Sequence, residues 1–180
     1  MVATGTSVSL DEYLATSYEP DMDFIDGVLV RRNVGTPRHG LLQLIVGSYL
    51  HQFRESHRIE SFTETRLRID GETARHRIPD VMTVPVPYQD AKVITNVPVI
   101  TIEIKSPDDT FDDIVDRCFD YERLGVPNIL VMDPENRRAW VFEHGGLRLL
   151  AGDSVSLNLP ERPAIDFPFA QMFAKLNVHE

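Results

Sequence analysis

The chain has 180 residues, 42% of them hydrophobic, with a formal net charge of -10 and one cysteine, which suits one globular domain spanning residues 1–180 with a sizeable core. That charge excludes a protein that coats nucleic acid through a general positive field, and a lone Cys118 excludes an internal disulfide. Apolar runs fall far short of the roughly 20 residues needed to cross a bilayer, and the N-terminus has neither a basic start nor an apolar signal core, so a cytoplasmic protein is expected.

Charge is unevenly placed. Residues 1–30 carry six acids and no Lys or Arg, residues 31–77 carry nine Arg against five acids, and the remainder has seventeen acids against nine basic residues. The middle segment offers Arg31, Arg32, Arg38, Arg66, Arg68, Arg75 and Arg77 either as solvated side chains or as a phosphate-contacting surface.

In chain order, "SVSLDEYLATS" predicts a short helix, with capping residues ahead of an acidic first turn. "MDFIDGVLVRR" sets Asp-Gly between two β-prone runs and predicts a hairpin. "PRHGLLQLIVGSYLHQFRES" spaces Leu42, Ile45, Val46, Tyr49 and Phe53 by threes and fours and predicts the first long helix. "RIESFTETRLRID" reads as one strand and "GETARHR" as a polar turn; "IPDVMTVPVP" and "VPVITIEIK" read as strands with a loop between them. "DDTFDDIVDRCFDYERLG" predicts a second long helix with Phe111, Ile114, Val115, Cys118 and Phe119 on one side and a stop at Gly125. "NILVMD" suits a strand buried on both faces, "RRAWVFEHGGLRLLAGDSVSL" antiparallel strands with a Gly-Gly turn, and "FPFAQMFAKL" a closing helix. The sum is an α/β (α+β) domain, a mixed sheet flanked by helices.

Three residues do not read as core. Alternation in "VITIEIK" puts Ile100, Ile102 and Ile104 on one face and Thr101, Glu103 and Lys105 on the other. If the strand led by Asp80 pairs beside this one, the two carboxylates approach, and they resist ionising together unless a cation lies between them. Two carboxylates with room for water describe a Mg²⁺ site, and a nearby lysine completes a centre that positions water and offsets charge on a phosphate. Against this, Pro-Asp is common turn chemistry and Glu-x-Lys on an exposed strand is an ordinary ion pair.

The "PD" of "IPDVMTVP" followed by the "ExK" of "ITIEIKSPDDT" resembles the PD-(D/E)XK nuclease superfamily. More specifically the chain resembles the Uma-type family of bacterial restriction-endonuclease-like proteins. The likeness runs from "DEYLATS" and "MDFIDGVLV" through "HGLLQLIVGSYL", "DRCFDYERLGVPNILVMDP" and "RRAWVF". The resemblance implies a restriction-endonuclease-like fold and a Mg²⁺-dependent endonuclease, with Mn²⁺ as a substitute, that hydrolyses DNA phosphodiester bonds. It implies Asp80 and Glu103 as metal-binding acids with the Ile104 carbonyl beside them, and Asp23 as an acid supporting the metal. His39, Arg77 and Arg117 become candidates for phosphate contact. By analogy with nucleases that cut both strands, a homodimer is expected. One departure stands out: the family's working lysine lies on the second long helix in a "K...Y" pattern, matched here by Arg117 and Tyr121. Arginine stays protonated and makes a poor base, which leaves Lys105 as the candidate lysine. Loss of the helix lysine also fits an inactive member that kept the fold as a binding or oligomerisation scaffold.

Overall fold

Asp26 and Gly27 take left-handed backbone conformations (φ 52° and 86°) and close the expected hairpin between β1 (Met22–Ile25) and β2 (Val28–Arg31). The computed structural model describes residues 7–33, 35–69 and 75–177. Ahead of the hairpin, α1 (Leu10–Ala15) starts where the Ser9 hydroxyl accepts from the Glu12 N–H, and it buries Tyr13 against Phe24 and Leu29.

The hairpin belongs to a four-stranded sheet of order β2-β1-β5-β4, with β4 at Leu67–Ile69 and β5 at Arg75–Arg77. Two expectations are corrected here. "RIESFTETRLRID" is two strands in two sheets, because the chain turns at Glu64 (φ 46°) after β3 (Ile59–Thr63) and enters β4 three residues later. The expected polar turn is in part a strand: Arg75–Arg77 pairs with β1 and β4, since both arginines find carboxylates and His76 packs against the stacked Tyr13 and Phe24 rings. Asp70 and the Gly71–Ala74 part of that turn lie outside the described residues.

The main sheet has the order β10 (Gly146–Leu149), β9 (Arg138–Glu143), β8 (Ile129–Asp133), β7 (Ile100–Ile104), β6 (Val81–Pro85) and β3. β3 pairs antiparallel with β6, β6 antiparallel with β7, and β7 parallel with β8. β9 and β10 follow as a hairpin, whose turn is His144-Gly145, at φ 52° and 75°, rather than Gly-Gly. The parallel β7–β8 pair needs a crossover, and α4 (Phe111–Leu124) supplies it. The result is an α/β fold with a mixed sheet flanked by helices, the restriction-endonuclease-like arrangement that the sequence predicts.

Alternation in the central strands divides the core. Val81, Ile100, Ile102 and Ile104 pack against Leu42, Val46 and Leu50 of α2 (Pro37–His51), with Phe169, Met172 and Phe173 of α5 (Phe169–Ala174) and the small β11 (Val155–Leu157)–β12 (Ile165–Phe167) sheet closing that layer. Met82, Val84, Ile129 and Val131 pack on the other face against Ile114, Cys118 and Tyr121 of α4. Each such side chain contributes about 1.5–3 kcal/mol on full burial, which fixes both helices against the sheet. The buried stripe of α4 is thus turned from the expected one. Phe111 and Phe119 sit at its margin, 42% and 40% exposed, each edge-on to a β9 ring, Trp140 and Phe142 respectively. Cys118 is a buried core thiol, as expected, and burial pushes its pKa well up. No described helix is long and apolar enough to cross a membrane.

Candidate functional site

Val81 pairs with Ile102 in the β6–β7 register, so one further step sets Asp80 opposite Glu103 at the end of the ladder. Glu103 falls on the α4 face of the sheet, because Ile102 points the other way, while Asp80, just ahead of β6, meets Arg32, the Ile104 N–H and His39 of α2. The aspartate and the glutamate are both buried.

Four fixed donors hold Asp80. Its Oδ1 accepts from Arg32 Nη2 at 2.7 Å and its Oδ2 from the Ile104 N–H at 2.6 Å. His39 Nε2 stands 3.4 Å from the same Oδ2, and Gln43 Nε2 donates to the Asp80 carbonyl at 2.9 Å. His39 and Gln43 are one turn apart on α2 and therefore share a face. That helix starts where the Thr36 hydroxyl accepts from the His39 N–H, with Pro37 at the first position.

Glu103 is held by α4. Tyr121 donates its hydroxyl to Oε1 at 2.6 Å and Arg117 donates Nε to Oε2 at 2.8 Å. These donors too are one turn apart, and Arg117 reaches on to Asp109 at 3.5 Å. Asp109 accepts the Ser106 N–H at 2.8 Å and Asn33 Nδ2 at 3.1 Å, which ties the segment after β7 to the segment after β2.

The other expected site residues fall around this pair. Asp23 accepts Arg77 Nη1 at 2.9 Å and the Ile78 N–H at 3.2 Å, so its carboxylate fixes the two residues that lead to Asp80. Arg77 continues to Asp120, a fully buried carboxylate that also receives Arg75 and Arg123. Lys105 directs Nζ to the Ser106 carbonyl at 3.1 Å rather than to either acid. Of the seven arginines noted in the middle segment, Arg32, Arg66, Arg75 and Arg77 are committed to internal partners. Gln43 and Asp109 contact the site although the sequence did not single them out, whereas Tyr121 was marked by the helix pattern and Arg32 only as one of seven middle-segment arginines. The signal for Gln43 was its place one turn beyond His39, and for Asp109 its place in "SPDDT", four residues past Lys105.

Environment drives the two carboxyls apart. Burial alone would raise Asp80, but the His39 hydrogen bond and the Arg32 charge pull it below the ordinary carboxylate range. Burial pushes Glu103 above that range in spite of Arg117, and the Asp80 charge pushes the same way. Burial opposes the charged imidazole of His39, and the Asp80 hydrogen bond outweighs it, so the His39 pKa rises. Paired groups with opposed shifts are characteristic of sites that handle protons or charge.

Arg32, His39, Asp80, Ile104, Ser106, Asp109 and Arg117 enclose a recess of about 10 Å³, room for about one water-sized species. It adjoins an open cleft of about 330 Å³ walled by Asp21, Arg32, Asn33, His39, Gln43 and Glu64. Among the described residues no three His, Cys, Asp or Glu side chains are grouped as metal ligands. The donors nevertheless fit a hard divalent cation in kind. One carboxylate lies on β7 and the other just ahead of the adjacent β6, and three of their four oxygens each accept one hydrogen bond, leaving a lone pair free.

The family model described as "Uma2: Putative restriction endonuclease" matches residues 10–166. The chain belongs to the Uma2 family. Uma2 proteins fall in the PD-(D/E)XK superfamily, in keeping with the motif order. A solved structure described as a putative nuclease belonging to DUF820, from Anabaena variabilis, superposes with a TM-score of 0.77 at 18% identity, covering 94% of this Uma2 chain and 99% of the other. At that identity the likeness shows a shared fold. The DrdV–DNA complex matches with a TM-score of 0.37 at 16% identity over 74% of this chain and 11% of the other. No curated protein matches.

Proposed function

We propose that this Uma2 protein is a Mg²⁺-dependent endonuclease that hydrolyses DNA phosphodiester bonds. The observation that supports the reading is the β6–β7 register, Val81 opposite Ile102, which carried one step on pairs Asp80 with Glu103, together with the recess at Asp80 that adjoins a cleft walled in part by Arg32 and His39. Asp80, Glu103 and the Ile104 carbonyl would hold Mg²⁺, or Mn²⁺ in its place. Bound there, the cation supplies Lewis-acid stabilisation of charge developing on the phosphate.

The chain's own groups supply the rest. Asp23 fixes Ile78 through its backbone N–H and so sets where Asp80 begins its strand, a support by position. His39 and Arg117, which both line the recess, bear on the scissile phosphate, Arg117 through the guanidinium nitrogen that Glu103 and Asp109 leave over. Arg77, clamped between Asp23 and Asp120, reaches no phosphate from there and acts by holding Asp23. Lys105 orients the water that attacks phosphorus in line with the departing sugar oxygen; its ammonium leaves the Ser106 carbonyl to do so. The proposal extends to a single cytoplasmic domain acting as a homodimer, as two-strand cutting favours.

Incubation of purified protein with plasmid, linear and single-stranded DNA in Mg²⁺ or Mn²⁺ tests the activity. Cleavage is expected, and equal cleavage by an Asp80→Asn, Lys105→Ala double variant would sink the assignment.

A specific observation favours a second reading, a non-catalytic nuclease-fold scaffold. Every carboxylate oxygen of Asp80 and Glu103 already accepts a hydrogen bond from the protein, two of them from arginines, and position 117 holds arginine where the resembled pattern has lysine. Calorimetry separates the readings: a scaffold shows no Mn²⁺ binding that disappears with Asp80→Asn.

A further inference from the structure

Three arginines hold the acids around the site, and they are not held alike. Arg77 is clamped between Asp23 and Asp120, and Arg117 between Glu103 and Asp109. Among the described residues Arg32 has one side-chain hydrogen bond, Nη2 to Asp80 Oδ1, and Asp80 is its only ion-pair partner. Its side chain is 16% exposed against 4% for Asp80, and it walls both the inner recess and the outer cleft. The guanidinium therefore stands beside Asp80 on the wall of the space through which a phosphodiester would arrive.

We propose that Arg32 is a displaceable internal counter-ion that couples cation loading at Asp80 to the arrival of a phosphodiester in the cleft. This rests on the metal-site reading above. Asp80 is buried, so withdrawing its one strong cationic partner without replacement strands a charge in a dry site, which is costly. A divalent cation entering at Oδ1 removes that cost for Asp80 but takes from the guanidinium the one anion it is hydrogen-bonded to among the described residues. A phosphate oxygen pair in the cleft resolves this second problem, because guanidinium and phosphate match as a charge-assisted, two-pronged pair. Arg32 thus exchanges a carboxylate for a phosphate as Asp80 exchanges a guanidinium for a metal ion. Linkage makes the coupling reciprocal: the phosphodiester tightens the cation as much as the cation tightens the phosphodiester.

The test is calorimetric titration of Mn²⁺ into the full chain, alone and with a saturating hydrolysis-resistant phosphorothioate DNA duplex, for wild type, Arg32→Gln and Asp80→Asn. Without duplex, Arg32→Gln is expected to bind Mn²⁺ about tenfold more tightly than wild type, and Asp80→Asn to lose the ion. Duplex is expected to tighten wild type about fivefold or more and Arg32→Gln little further. Should Arg32→Gln misfold, the wild-type arms decide alone, since a duplex that leaves wild-type Mn²⁺ affinity unchanged overturns the coupling. Asp80-dependent Mn²⁺ binding that Arg32→Gln leaves equal or weaker overturns the counter-ion role and spares the metal site. Absence of Asp80-dependent Mn²⁺ binding from both wild type and Arg32→Gln overturns the two together.

Discussion

Arg117 Nε lies 2.8 Å from Glu103 Oε2, on the buried side of the sheet, at the helix position where the resembled motif pattern carries a lysine. A guanidinium there neutralises Glu103 but cannot give up a proton at any ordinary pH: burial opposes its charge, and the Glu103 and Asp109 carboxylates outweigh burial and hold its pKa far above neutrality. The lysine function then falls to Lys105. Lys105→Ala is expected to lower the rate of Mn²⁺-supported DNA cleavage about 100-fold or more while leaving the melting temperature and Mn²⁺ binding in place. Arg117→Lys is expected to stay within about tenfold of wild type. Cleavage rising well above wild type in Arg117→Lys, with Lys105→Ala harmless, would move the lysine role to the helix.

Asp120 accepts Arg75 at 3.0 Å, Arg77 at 2.6 Å and Arg123 at 2.8 Å, and no part of its side chain meets solvent. Asp120→Asn keeps the shape and removes the charge that compensates buried Arg77. Breaking a buried pair from one side costs about 3–5 kcal/mol. For a chain of this size that lowers the melting temperature by roughly 10 °C, measurable by thermal unfolding monitored by circular dichroism. A change within about 1 kcal/mol would mean that water or Asp23 takes over the compensation.

What could be read in the sequence followed the physics of each segment. The central strands declare themselves because alternation and β-branching are local, and the Asp-Gly hairpin because two consecutive left-handed residues are hard to make from other pairs. The acid pair was legible as motif order, and its register follows from one face of Ile residues that must be buried. Arg75–Arg77 was not, because a strand whose side chains are Arg, His and Arg has no apolar signature; its face is set by Asp23, Asp26 and Asp120, which come from distant segments. The same reason hid Arg32. A charged side chain at the end of a hairpin reads as solvated until the helix that carries His39 closes over it.

Thr110 and Asp113 make a reciprocal capping box at the start of α4: the Thr110 hydroxyl accepts from the Asp113 N–H at 3.1 Å, and the Asp113 carboxylate accepts from the Thr110 N–H at 3.4 Å. Four residues later the same helix delivers Arg117 to Glu103. Thr110→Ala is expected to cost about 1 kcal/mol in urea-induced unfolding, with increased amide hydrogen exchange confined to the first turn of α4. Loss of protection that extends to Tyr121 would show that the box, rather than core packing, holds the helix in register.

His76 gives a pH dependence whose sign can be worked out. It is buried against the stacked Tyr13 and Phe24 rings, its Nδ1 has no hydrogen-bond partner among the described residues, and burial with the Arg68 and Arg66 charges pushes its pKa from 6.5 to about 4. The unfolded chain takes up the proton as pH falls through about 6.5, whereas the folded chain resists until about 4. The stabilising contribution of neutral His76 is therefore whole above about 6.5, is lost progressively through that window, and changes no further below it. At pH 5 the loss amounts to about 2 kcal/mol. His76→Phe, which suits the ring cluster and cannot titrate, is expected to flatten this component. Urea unfolding at pH 7.5 and pH 5.0 reads it as the difference between the two proteins, so that titrating groups common to both cancel. An equal acid loss in wild type and His76→Phe would place the acid sensitivity elsewhere.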